Sequence, residues 1–312
     1  MIPLLDLDCP LSLGTAPFGT AIPRSTSFRI LDAFLDKGGS LIDTAAVYGM
    51  GVSEQTIGEW MRFRSTRNRV YISTKGGHPS LPDWERRITE ADIRADMEDS
   101  LRYLGADHVD IYFLHRDDET KPVEIIMPIL DALVREGKTR LIGASNWTVQ
   151  RINEANVFAR KNGMAEFSVS QIFHNAADIN KEGVYDQTLV AMDEAEHTGY
   201  AKNGMPVMAY TAQAQGLFSL IRDRGCEGLS EGMIRTYVNP ATKARAERIL
   251  AVSAETGISP TAVSLAYLLH DRKVKTFPIL GISRPERLYE AMEVFSLQPC
   301  HLSMLLLDSE RR

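Results

Sequence analysis

The sequence predicts a single (β/α)8 barrel over residues 1–312, and three observations predict it. Eight short apolar runs recur along the chain, each followed by a helical pattern; strands that alternate with amphipathic helices pair in parallel, because the crossover helices cover both faces. The runs begin roughly 25 to 40 residues apart, which suits either a closed barrel or an open doubly wound sheet. Closure is favoured because polar side chains capable of chemistry recur at the carboxyl ends of strand after strand, and only a closed ring brings all those ends to one mouth.

Leu11 to Ala16 alternates and contains Gly14, as a first strand with a close backbone approach would. Ser25-Thr26-Ser27 caps a helical pattern carrying Ile30, Leu31, Phe34 and Leu35, closed by Lys37-Gly38-Gly39. The second strand is Leu41 to Asp43. Beyond Tyr48 and two turn glycines, Ser53 opens a helix with Ile57, Trp60 and Met61, and its basic end, Arg62 to Arg69, complements a helix C-terminus. The third strand ends at Lys75 and a long loop occupies 76–88. Thr89 with Asp92 reads as a capping box, followed by Ile93, Met97, Leu101 and Leu104 at helical spacing before Gly105.

The fourth strand, from Val109, ends at His115. Pro122 starts a helix that runs to Gly137, and Pro128 inside it should kink it or shorten its first half. Arg140 to Ser145 is strand five, Thr148 to Lys161 a helix, and Phe167 to Gln171 strand six. A helix follows from Tyr185 to His197. Pro206 to Tyr210 is strand seven, with a longer irregular insertion over 212–240. Ala241 to Thr256 is helical, Ser259-Pro260 caps the helix Thr261 to His270, and Thr276 to Leu280 is strand eight. Pro285 opens a helix with Leu288 and Met292, before a C-terminal helix or tail.

With 312 residues, 44% hydrophobic and 24% charged, the chain can bury a large core within the one-domain range. A net charge of -6 leaves no electrostatic footprint for nucleic acid or an anionic membrane. No apolar run approaches the ~18 residues of a membrane span. Cys9, Cys226 and Cys300 are far apart and in no metal-ligand spacing, so free thiols in a reducing compartment are expected, with neither disulfide nor metal. Met1 to Pro10 has Asp6 and Asp8 but no basic start before an apolar core, unlike a signal peptide. A soluble cytoplasmic protein is expected.

The chemistry is concentrated at three consecutive strand ends. Asp43 follows the apolar Leu41-Ile42, and a bare carboxylate there is costly unless a positive group meets it. Lys75 ends the next strand and His115 the one after. Tyr48 lies five residues beyond Asp43. A tyrosine with its ordinary pKa of ~10 transfers protons poorly near neutrality. An ammonium beside it favours phenolate, and a carboxylate behind that ammonium keeps it charged and oriented. Tyr48 would then transfer the proton, with Lys75 as its electrostatic tuner and Asp43 as the anchor of Lys75. His115 would either position a carbonyl oxygen beside the Tyr48 hydroxyl or shuttle the proton. Each residue alone is an ordinary core or rim residue; their joint placement argues for a site that polarises a carbonyl. None of the four is a reductant, so a cofactor must supply hydride.

On these residues the chain resembles the aldo-keto reductase superfamily, from Leu13-Gly14-Thr15 to the helix after Gly281. Asp43-Thr44-Ala45 with Tyr48-Gly49 and Ser53-Glu54 is similar to the family's Asp-Thr-Ala-x-x-Tyr-Gly-x-x-Glu region. Ser73-Thr74-Lys75 resembles its lysine strand, Leu114-His115 with Asp118 its His-x-x-Asp segment, and Gly137-Lys138 followed by Ile142-Gly143-Ala144-Ser145-Asn146 its Gly-Lys and Ile-Gly-x-Ser-Asn signature. The resemblance implies a (β/α)8 barrel, a nicotinamide cofactor extended across the mouth, and Asp43, Tyr48, Lys75 and His115 as catalytic tetrad. It implies that Ser145, Asn146 and Gln171 bind the nicotinamide carboxamide, that Tyr210 stacks on the nicotinamide, and that Thr211 to Leu217, with Gln213 and Gly216, runs along the pyrophosphate and ribose. Gly281, Ser283, Arg287 and Glu290 fall where the family binds the adenosine end.

Many relatives carry a basic residue near Ser283 and an Asn where Ala291 stands, so recognition of a 2′-phosphate here falls to Arg284 or Arg287. Arg suits phosphate through its planar fork, which favours NADP over NAD. The implied activity is NAD(P)H-dependent reduction of an aldehyde or ketone, or the reverse oxidation of an alcohol or sugar. The alternatives are a cofactor-occupied accessory subunit and a redox-neutral epimerase. His78 and Trp84 either line a substrate pocket or cover barrel side chains; His174 and Asn175 either face substrate or cap a loop; Phe218 and the insertion either close over the cofactor as a lid or pack.

Overall fold

A computed structural model describes residues 7–80 and 82–306. Met1 to Asp6, on which part of the leader reading rests, lie outside the described residues. Eight strands close into a barrel in chain order: β1 (Ser12–Gly14), β2 (Leu41–Asp43), β3 (Tyr71–Gly76), β4 (Val109–Leu114), β5 (Thr139–Ser145), β6 (Phe167–Phe173), β7 (Val207–Tyr210) and β8 (Thr276–Gly281). The expected (β/α)8 architecture is therefore observed. Pairing is parallel, with Gly14 opposite Asp43 and Asp43 opposite Ser73. Because side chains alternate faces along a strand, that register puts Ser73 and Lys75 on the face of Asp43 and turns Thr74 outward.

The chain forms two compact units: the described residues up to Gln171 with Ile282–Arg284, and Ile172–Gly281 with the described residues from Pro285 on. In the first unit the helices Arg24–Asp36, Val52–Arg64, Glu90–Leu104, Val123–Arg135 and Val149–Lys161 follow the strands. The strands bury Leu13, Ile42, Ile72, Ile111, Phe113, Ile142 and Val169, which secures them by removing apolar surface from water. Both halves of the Thr89/Asp92 capping box form.

Two expected serine caps do not form. The first helix starts at Arg24 after Pro23, and the buried Ser27 hydroxyl instead donates back to the carbonyls of Ile22 and Pro23. The second starts at Val52 after a left-handed Gly51, and the buried Ser53 hydroxyl donates to the Thr15 carbonyl. Pro128 sits inside a continuous Val123–Arg135 helix, so the expected shortening of its first half does not occur.

The second unit differs from expectation in two places. The helix placed at Tyr185 to His197 begins at Glu194, capped by Asp193, which accepts from Glu196 N at 2.8 Å. Upstream, Asp186 accepts from its own neighbour Thr188 N at 2.9 Å, a local bond that competes with helix formation. The chain there runs extended, with Phe173 bonded to Val190 and Met192. The insertion after β7 is not irregular either. It holds the helices Leu217–Arg224 and Glu231–Tyr237, and Gly225 and Gly228 between them interrupt the helical period. Pro240–Thr256, Pro260–Leu269, Pro285–Met292 and Pro299–Leu306 complete the unit. Among the described residues no single helix is long and apolar enough to cross a membrane.

Candidate active site

Asp43 ends β2, Lys75 is the penultimate residue of β3, and His115 is the first residue beyond β4. Lys75 Nζ donates to Asp43 Oδ2 at 2.7 Å and to the Thr44 carbonyl at 2.7 Å, and lies 3.5 Å from Tyr48 Oη. The other Asp43 oxygen accepts from Ser73 Oγ at 2.7 Å and from Gln171 Nε2 at 2.9 Å. Asp43 and Lys75 are both buried; this full set of partners offsets the cost of taking two charges out of water. Tyr48 is delivered by a stitched turn. Thr44 N bonds to Ser73 O, Ala46 N to Lys75 O, and Tyr48 N to Ala45 O. Gly49, Met50 and Gly51 then take left-handed backbone, with φ of 56°, 53° and 86°, to enter the next helix.

The electrostatics set burial against the expected pull of Lys75. Burial pushes the Tyr48 phenol upward, and Lys75 pulls it back only in part, so the net direction is above its ordinary value. Tyr48 is therefore a phenol at neutral pH, while Lys75 favours the phenolate as expected. Burial pulls on Lys75 in the opposite sense, but Asp43 and Tyr48 outweigh it and the ammonium is held more firmly than usual. Burial, with Lys75, Arg116 and His78 adding to it, drives His115 well below the usual imidazole range. His115 is therefore neutral. Its ring meets that of Tyr48 edge-on, centroids 6.0 Å apart at 81°. Its backbone carbonyl accepts from Arg116 Nη1 at 2.9 Å and Asn146 Nδ2 at 3.3 Å, which anchors the backbone at this strand end.

Three of the expected nucleotide contacts join this network directly. Asn146 Nδ2 donates to Ser145 Oγ at 3.1 Å, and Asn146 N to the Gln171 carbonyl at 3.0 Å. Asn146 adopts a left-handed φ of 58°, which asparagine tolerates better than most residues. Ser283 is exposed in the 282–284 segment of the same unit.

The remaining expected contacts belong to the second unit. The Tyr210 ring stacks on Phe173, centroids 5.6 Å apart and 13° from parallel. Thr211, Ala214, Gln215 and Gly216 are left-handed, and the helix from Leu217 starts without a side-chain cap. Its first N–H groups are thus not taken by a capping side chain, the feature that suits a helix start to a phosphate. Leu217 itself is buried. Gln213 Oε1 accepts from Gly281 N at 2.9 Å, and Arg287 pairs with Glu290 at 2.7 Å on the surface. Asn175 Oδ1 accepts from Ala177 N at 2.8 Å, a loop-capping role, while burial pulls His174 down to about 3. Phe218 is buried, as a packing residue is.

A comparison with known families decides the classification: the model of the Aldo/keto reductase family matches residues 10–303. The chain belongs to the aldo/keto reductase family. Among relatives of this aldo/keto reductase, the aryl-alcohol dehydrogenase GME11368 of Pestalotiopsis microspora is 29% identical over 304 residues, 93% of this chain and 75% of its own. The norsolorinic acid reductase of Aspergillus flavus is 29% identical over 303 residues, covering 92% and 74%. The aldo-keto reductase ausK of Aspergillus calidoustus is 30% identical over 326 residues, covering 96% and 78%.

One group of this aldo/keto reductase has a state that no sequence pattern announced. Glu54 is fully buried, and its carboxyl meets only hydroxyls: Oε1 accepts from Thr74 Oγ1 at 2.5 Å, and Ser100 lies against it as well. Burial pushes its carboxyl up to about 7. The alternation of β3, which turns Thr74 towards the helices, is the signal that could have located it. Trp147, just beyond Asn146, is also buried, and among the described residues its Nε1 has no hydrogen-bond partner.

Proposed function

We propose that this aldo/keto reductase is an NAD(P)H-dependent oxidoreductase that reduces an aldehyde or ketone, or oxidises an alcohol or sugar in reverse, with Tyr48 as general acid and base. The observation that carries the reading is the placement of one ammonium, Lys75, within 2.7 Å of Asp43 and 3.5 Å of the Tyr48 hydroxyl, beside a neutral His115. The names of the relatives, reductases and an aryl-alcohol dehydrogenase, support it.

The nicotinamide, when bound, supplies hydride to the carbonyl carbon or accepts it from the alcohol. Ser145, Asn146 and Gln171 would hold its carboxamide; Gln171 already spends its Nε2 on Asp43 and keeps Oε1 as acceptor. Tyr210 would offer a ring face, Thr211 to Leu217 a backbone path for the pyrophosphate, and Gly281, Ser283, Arg287 and Glu290 the adenosine contacts. Arg284 and Arg287 are both exposed, and their guanidinium groups would favour NADP over NAD.

The chain's own residues handle the proton. A carbonyl oxygen placed between the Tyr48 hydroxyl and the His115 imidazole accepts hydrogen bonds from both. As negative charge develops there, Tyr48 releases its proton to that oxygen, and the Lys75 ammonium stabilises the phenolate left behind. Asp43, bonded to Lys75 at 2.7 Å, keeps Lys75 charged. Tyr48 recovers its proton from solvent, so each reduction consumes one proton and one hydride. In oxidation the phenolate accepts the alcohol proton.

The three free cysteines support a reducing, cytoplasmic setting, and the partner is a small molecule. The test is the loss of NADPH or NADH absorbance with a panel of activated aldehydes. Turnover that Tyr48→Phe abolishes sustains the reading. Absence of turnover in the wild type across the panel overturns it in favour of an accessory role, and interconversion of sugar epimers without net redox change would favour an epimerase.

A further inference from the structure

Away from the candidate active site, the helices Val52–Arg64 and Glu90–Leu104 leave a cavity of about 410 Å³ between them, near the chain that leads into β3. That volume is within the range of small-molecule sites. Its wall holds three guanidinium groups, those of Arg62, Arg67 and Arg102, in a chain whose net charge is -6.

Each of the three is held differently. Arg67 is fixed from behind: Nη1 donates to the Val70 carbonyl at 3.1 Å and Nη2 to the His108 carbonyl at 3.0 Å, the residues just before β3 and β4. Arg102 lies over the Tyr103 ring, 4.3 Å from its centroid, and pairs with Asp99 at 2.7 Å. Arg62 is exposed and lies 4.8 Å from the Phe63 centroid; among the described residues no carboxylate pairs with it.

The charges do not cancel. Asp99 answers Arg102. Asp110 meets Arg67 at 3.1 Å but is shared with Arg140 at 3.2 Å, so that trio keeps one positive charge in surplus. Arg62 adds a second. Glu59 is the one carboxylate on the wall among the described residues, and Arg24 holds both of its oxygens, at 2.7 and 3.0 Å. The Asp107 side chain nearby is 93% exposed, where water and salt screen it. Helix carboxyl ends attract cations, and two helices end here. That accounts for basic residues at this place. It accounts neither for a cavity among them nor for the buried Arg67 Nε, which has no hydrogen-bond partner among the described residues.

We propose that this cavity binds a small molecule through a phosphomonoester. Such a group carries about -1.5 to -2 charge at neutral pH, which matches the surplus, and its oxygens suit the planar fork of arginine. A carboxylate, with one charge, answers only half of it. Gln55 adds a polar side chain to the wall, and Met61 and Leu104 add apolar surface for the body of the ligand. Arg67 and Arg102 are already held, so binding costs them little further freedom.

The test is isothermal titration calorimetry with phenyl phosphate, run with saturating NADP so that the candidate nucleotide site is not the one titrated. The wild type is expected to bind phenyl phosphate at least about tenfold more tightly than benzoate, and more tightly than inorganic phosphate, which lacks the body. Arg62→Gln and Arg102→Gln are each expected to weaken phenyl phosphate by about tenfold. Both side chains are exposed and the Arg102–Asp99 pair lies on the surface, so the fold survives either change. Absence of binding, or binding that neither variant weakens, overturns the proposal. Equal affinity for phosphate and phenyl phosphate that vanishes at physiological salt means an adventitious ion only, and overturns it as well. No turnover is measured, so none of these outcomes bears on the oxidoreductase reading.

Discussion

The Thr74 hydroxyl donates to Glu54 Oε1 across 2.5 Å on the face of β3 turned away from Lys75. Glu54 holds its proton up to about 7, against 4.5 for an unburied carboxyl. Between those values the folded chain carries a proton that the unfolded chain has lost. Stability is therefore full below about pH 4.5 and falls as pH rises through about 7, by on the order of 3 kcal/mol from this group. Glu54→Gln keeps the amide as a partner for Thr74 and removes the titration. Urea midpoints from pH 5 to pH 8 should fall less in the variant than in the wild type. Asp117, raised to about 6, tilts both proteins alike; equal slopes would show that Glu54 is ionised throughout.

Removing the Tyr48 hydroxyl tests the proton donor. Tyr48→Phe is expected to retain nucleotide affinity, measured by fluorescence titration, while kcat falls by about 10²- to 10⁴-fold. Turnover within a few-fold of wild type would take Tyr48 out of the mechanism.

Lys75→Met leaves Asp43 buried beside an apolar side chain. Rate loss should be at least as large as for Tyr48→Phe, and stability should drop by about 3 to 5 kcal/mol because a buried charge loses its partner. Thermal melts and pH–rate profiles read the two effects separately; an unchanged profile contradicts electrostatic tuning of Tyr48 by Lys75.

The pH dependence of reduction follows from two directions. Tyr48 is raised and His115 lowered well below its usual range, so phenol and neutral imidazole coexist across neutrality. The kcat/KM for reduction should be flat over about pH 6 to 9 and decline only on the alkaline side, as the donor loses its proton. An acid limb near the ordinary histidine value would show that His115 is charged in the free enzyme.

Gly76 follows Lys75, and a Cβ there would fall 2.0 Å from Tyr112 Oη and 2.8 Å from Asp96 Cβ. Gly76→Ala should cost about 1 to 3 kcal/mol by overpacking and should displace Lys75, lowering kcat as well. Wild-type stability and rate in this variant would show that β3 shifts freely.

Much of this was legible because apolar runs ending in one polar residue mark strands wherever they occur. β2 is the Leu41–Asp43 expected, and Asp43, Lys75 and His115 stand at strand ends as expected. What escaped depends on competition or on depth. The helix expected from Tyr185 was displaced by a side-chain bond of Asp186 to its own backbone neighbourhood. The helices Leu217–Arg224 and Glu231–Tyr237 are too short to show a period. The direction of the Tyr48 shift and the proton on Glu54 follow from burial, which pairwise proximity along a sequence does not reveal. Nor does composition announce that Trp84 takes a left-handed φ of 54°.

The carboxylate of Asp43 accepts from strand neighbours on one oxygen and from Lys75 on the other. A residue so shared is a poor place for evolution to experiment, since any replacement disturbs the ring of strands together with the reaction.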